Sequence, residues 1–144
     1  MKNVLSKSIR LFTLQYSFKY LFSFVYQKFW YIYYQCRFQK LGRNAFIYKP
    51  LKMTPKYIVV GDNVKIYKNC RIEGVSLYNN KIFTPTIVFE DGVSIQQNLH
   101  LTCAKYISIG KNTAIASNVT ITDIHHPYDD INIPIVLFWG TRDI

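Results

Sequence analysis

The segment ITDIHHPYDD, residues 121–130, sets two adjacent histidines among carboxylates and ahead of a proline. Imidazole ionises with an unperturbed pKa of about 6.5, so a histidine can take the proton of a weak nucleophile such as an alcohol. In an extended chain neighbouring side chains point to opposite sides, so one cleft can receive only one of His125 and His126. Pro127 biases the residue before it to extended backbone. That favours His126 as the oriented base and leaves His125 as a bystander. Asp123, Asp129 and Asp130 stand close enough in sequence to hold the second ring nitrogen. A metal centre is the poorer reading. Catalytic zinc takes three converging protein ligands and keeps an open position, whereas two of the histidines here are adjacent and diverge. No metal site is expected.

The elements that must position this segment show a six-residue spacing. Val60, Ile66 and Ile72 form one run, Phe89, Ile95 and Leu101 a second, and Ile109, Ile115 and Ile121 a third. A period of six suits neither a helix nor an amphipathic strand. It suits a parallel β-helix with three short sides to each coil, one hexapeptide per side. The aliphatic residue of each block then points inward and stacks on its equivalent one coil away. The fifth place of the blocks, Val64, Cys70, Val93, Leu99, Thr113 and Val119, also lies at or near the interior. GDN and GKN supply corners, because Gly and Asn tolerate positive φ. Two irregularities are expected. The phase slips by two residues between Leu101 and Ile109, and the insertion GVSLYNNKIFTPT between Ile72 and Phe89 bulges from a corner.

The N-terminal part is different in kind. Residues 1–61 hold eleven Lys or Arg and no acid, while residues 62–144 hold seven Lys or Arg and eight Asp or Glu. Half of the residues from Leu11 to Tyr34 are aromatic, and no Gly, Pro or Asp interrupts them. The segment is expected to be helical, with a break near Ser23 as the variant. Tyr-rich and lysine-bearing, it makes a poor membrane span and a better interfacial helix; packing on the rest of the chain is the alternative. Nucleic acid is not an expected partner, since aromatics dominate the sparse charges and no binding motif is present. Cys36, Cys70 and Cys103 form no CxxC pair, and their odd number argues against a disulfide framework and for a reducing compartment.

The stretch GVSIQQNLHLTCAKYISIGKNTAIASNVTITDIHHPYDD resembles the left-handed β-helix, hexapeptide-repeat acyltransferases, most closely the sugar and polysaccharide O-acetyltransferases. The resemblance implies a left-handed coil and a homotrimer. Acetyl-coenzyme A would be the acyl donor, bound between neighbouring copies beside a sugar acceptor. His126 matches the family's general base, and Asn98 matches an asparagine that lines its site; Asp123 is a further candidate for contact with substrate. Residues 1–43 form the basic, aromatic-rich helical segment and residues 44–144 the β-helix domain. A cytoplasmic protein is implied, meeting the inner face of the cell membrane through residues 1–43. The family continues past its histidine loop with further coils, whereas this sequence reads IVLFWGTRDI and stops. The expectation is therefore a truncated member of doubtful activity, the alternative being an inactive fragment that only oligomerises.

Overall fold

The computed structural model describes residues 20–78 and 80–124. It is mainly β, with parallel sheets and one N-terminal helix. That helix, α1, covers residues 20–35 of the described range. The strands then come in successive turns. The first turn is β1 (Lys40–Leu41), β2 (Phe46–Ile47) and β3 (Lys52–Met53). A 3-10 turn at Pro55–Tyr57 leads to the second: β4 (Ile58–Val60), β5 (Lys65–Ile66) and β6 (Arg71–Gly74). An antiparallel pair follows, β7 (Leu77–Tyr78) and β8 (Lys81–Ile82). The third turn is β9 (Thr86–Phe89), β10 (Ser94–Ile95) and β11 (His100–Cys103), and the fourth is β12 (Tyr106–Ile109), β13 (Ala114–Ile115) and β14 (Thr120–Thr122).

Each strand pairs in parallel with its counterpart one turn away. Sheet A has the order β1-β4-β9-β12, sheet B β2-β5-β10-β13, and sheet C β3-β6-β11-β14. The chain thus visits the three sheets in rotation. The register aligns the residues that the six-fold spacing picks out. Leu41, Val60, Phe89 and Ile109 form one row. Ile47, Ile66, Ile95 and Ile115 form the second, and Met53, Ile72, Leu101 and Ile121 the third. In the two middle turns all six of these side chains are fully buried, together with Val64, Cys70, Val93 and Leu99. Burying one such aliphatic side chain contributes about 1.5–3 kcal/mol, so these rows hold the fold together. At the fourth turn Ile109, Ile121 and Val119 are half-buried and Thr113 is exposed.

Backbone turns of positive φ separate the sheets. Between sheets A and B they fall on Asn44, Asn63, Gly92 and Asn112; between B and C on Lys49, Asn69, Asn98 and Asn118. At Gly92 the requirement is doubled, since φ is +73° and a Cβ would lie 2.3 Å from Asn112 Oδ1. Carboxylates close the A–B corner as well. Asp62 Oδ1 accepts from Arg43 N at 2.8 Å, Asp91 Oδ1 from Asp62 N at 2.9 Å, and Glu90 Oε2 from Lys111 N at 3.1 Å.

α1 packs one side on the sheets. Tyr34 and Phe38 are buried in the core and Trp30 packs against it, with the Trp30 and Tyr34 rings stacked at 5.5 Å. Tyr26 meets Tyr48 edge-on at 6.1 Å. Among the described residues no helix is long and apolar enough to cross a membrane.

Candidate functional site

The third corner, from sheet C back to sheet A, is where the chain departs from its period. Met53 and Val60 are 7 positions apart, Ile72 and Phe89 are 17 apart, and Leu101 and Ile109 are 8 apart. The first passage is filled by the 3-10 turn, the second by the β7–β8 hairpin, and the third by the two-residue slip. Extra residues bring extra amides, and a buried amide needs an acceptor. In the slip, Asp123 supplies it. Its Oδ1 accepts from Ala104 N at 2.7 Å, and its Oδ2 from Lys105 N at 2.8 Å and Tyr106 N at 2.9 Å. Ala104 is buried, so water does not offer an equivalent partner there.

Cys103 donates its thiol to the same Asp123 Oδ2 at 3.3 Å. Burial, reinforced by the adjacent carboxylate, pushes this thiol up to about 12. It stays protonated at neutral pH and is no nucleophile. Beyond Asp123, Ile124 N donates to Thr122 Oγ1 at 3.0 Å. The corner therefore fixes the chain up to the residue before the two histidines. His125, His126, Asp129 and Asp130 lie outside the described residues.

Asn98 stands elsewhere, exposed at the B–C corner with φ +63°. Its Nδ2 donates to Asn118 Oδ1 at 2.9 Å, and its backbone N to Lys68 O at 3.2 Å. Asn98 and Asp123 thus flank sheet C at opposite ends of its strands, and no hydrogen bond joins them among the described residues.

The outer face of sheet C carries a polar group that the sequence pattern did not single out. Lys52, Arg71, His100 and Thr120 are in register, with Glu73, Thr102 and Thr122 in the next row. Glu73 is buried and pairs with Lys52 at 2.6 Å and with Arg71. Burial alone works to raise its carboxyl; the hydrogen bonds from Lys52 and Arg71 outweigh that and hold it below the usual range. His100 Nε2 lies 3.2 Å from Thr102 Oγ1.

The chain matches no protein-family model, no curated protein and no solved structure. What it can do is carried by its own residues. Among those described, no three His, Cys, Asp or Glu side chains are grouped so as to hold a metal ion. Two features escape the hexapeptide reading: the amide cap made by Asp123 and the ion pairs of Glu73. A signal for the first exists in the slip itself, because two inserted residues leave amides that a carboxylate one turn later can meet. A third feature is a cavity of ≈ 620 Å³ between α1 and the first A–B corner, lined by Phe24, Lys28, Tyr31, Arg43, Phe46 and Asn63 among others.

Proposed function

We propose that this chain is a left-handed β-helix of the hexapeptide-repeat acyltransferase type. In this reading it moves an acetyl group from acetyl-coenzyme A to a sugar hydroxyl of a surface polysaccharide or its precursor. The observation that carries the reading is the alignment of the six-spaced rows over four turns, from the last of which Asp123 leads directly into His125-His126-Pro127.

His126 is the general base. It takes the proton of the sugar hydroxyl as the oxygen attacks, a contribution of about 10²–10⁴-fold. The residue before a proline is biased to extended backbone, and Asp123 anchors the chain just ahead of the histidines through the corner amides. Both carboxylate oxygens of Asp123 are engaged there, so its part is to fix the loop on which the substrate is met. Asn98 offers an exposed side-chain amide one turn earlier. The donor supplies the acetyl group as a thioester. The cavity beside α1 does not fit that donor's placement, since it stands at the first turn and Asp123 at the fourth.

The assembly in this reading is a homotrimer with sheet faces apposed. The chain works in the cytoplasm, at the inner face of the membrane that α1 meets. The test is release of coenzyme A thiol from acetyl-coenzyme A, with and without polysaccharide sugars, alongside sedimentation equilibrium. Acceptor-dependent release by a trimer is expected. A trimer that neither binds the donor nor releases thiol would instead mark a β-helix that oligomerises without turnover.

A further inference from the structure

Among the described residues, one side of α1 packs on the sheets. Trp30 and Tyr34 pack on the sheets. Going round the helix, Phe24, Gln27, Lys28 and Tyr31, spaced i, i+3, i+4 and i+7, face the cavity of ≈ 620 Å³. No described residue covers the next side. Leu21, Val25, Phe29 and Ile32 are between 56% and 64% exposed, and Phe22 is 75% exposed. A contiguous apolar face on a helix already anchored by its other side marks an interaction surface.

Charge indicates what covers it. Residues 1–61 contain no acid. Lys28, Arg37, Lys40 and Arg43 lie on or just beyond α1, and the first carboxylate, Asp62, already accepts from Arg43 Nε at 2.9 Å and Nη2 at 2.7 Å. Aromatic residues flanked by cations are the composition of a helix that lies in an anionic lipid interface. The sequence of sides then places the cavity. With the open face sunk about 5–10 Å into the headgroup and acyl boundary, the cavity mouth beside it comes to headgroup level. Lys28 stands on the seam between the two sides. Across the cavity Arg43, 87% exposed, is ion-paired with Asp62, which also lines the cavity, and keeps guanidinium donors beyond the two that Asp62 takes.

We infer that the open face of α1 seats on an anionic phospholipid bilayer and that the adjoining cavity takes a phosphate headgroup between Lys28 and Arg43. The inference rests on the membrane-contact part of the proposed function and is independent of acetyl transfer. Co-sedimentation of the full chain with phosphatidylglycerol/phosphatidylcholine vesicles tests it, against vesicles of phosphatidylcholine alone. Binding to the anionic vesicles is expected. The double variant Phe22→Ser with Phe29→Ser should lower it at least about tenfold while leaving the melting temperature in place. Gln27→Trp puts an indole into the cavity and narrows it without altering charge. It should weaken anionic binding severalfold, although an added tryptophan ordinarily strengthens partition into an interface. Lys28→Gln should weaken it about fivefold, and Arg37→Gln, away from the cavity, by less. No binding to either kind of vesicle overturns the membrane contact, and equal binding to both overturns its anionic selectivity and the headgroup site with it. Anionic binding that Gln27→Trp leaves unchanged or increases overturns the headgroup site alone. Neither result bears on thiol release from acetyl-coenzyme A in solution, which tests the catalytic reading separately.

Discussion

Two of the three corners repeat and the third does not. At the A–B and B–C corners the stacked interior residues are always six apart, and every corner has a residue of positive φ, three places after the stacked residue except at Lys49, which is two after Ile47. At the C–A corner the spacing changes each time, and the filler changes with it: a 3-10 turn, a hairpin, and a slip closed by a carboxylate. The regular corners are set by backbone sterics and leave little freedom for chemistry. The irregular corner carries residues that the coil does not need, and there the chain can present side chains without disturbing the rows. The candidate histidines follow directly from that edge.

The contrast can be strained from both sides. The largest effect is expected at the irregular corner. Asp123→Ala strips the acceptor from three amides, one of them buried, and should cost about 3 kcal/mol in urea unfolding. A regular corner should come next. Gly92→Ala demands positive φ of a residue with a Cβ and drives it against Asn112, at a cost of about 1–3 kcal/mol by the same measurement. If Gly92→Ala were neutral, the stacked-corner account would fail.

Glu73 gives a smaller and pH-dependent effect. Its folded carboxyl lies below the ordinary value, so its stabilisation is complete above that value and fades as pH falls through the folded one. Glu73→Gln should cost about 1 kcal/mol at neutral pH, and the difference from the parent chain should shrink in acid. A difference that grows on acidification would contradict the pairing with Lys52 and Arg71. The least effect belongs to the hairpin. Leu77 and Ile82 are 66% and 83% exposed, and changing both to Ser should move stability within about 0.5 kcal/mol.

Much of this architecture is legible in the sequence from Val60 onward, because one aliphatic residue per hexad must reach the interior. The insertion after Ile72 and the slip after Leu101 are legible as breaks in phase. The first turn is harder to see. Leu41, Ile47 and Met53 keep the spacing, yet they sit among aromatic and basic residues, and Lys49 takes the positive φ (41°) one position before the place where later turns use Asn, which Pro50 fills here. Neither the acceptor role of Asp123 nor the side of α1 left open follows from residue type, since both depend on what packs one turn or one helix face away. Cys70 and Cys103 prove to be buried, and Cys36 exposed.

The irregular corner matters to function only if what it presents is catalytic. The direct measurement is acceptor-dependent release of coenzyme A thiol from the parent chain and from His125→Ala and His126→Ala side by side, each checked for unchanged melting. The account predicts a loss of about 10²–10⁴-fold in His126→Ala and near-parent release in His125→Ala. Full activity in His126→Ala, or an equal loss in both, would contradict it.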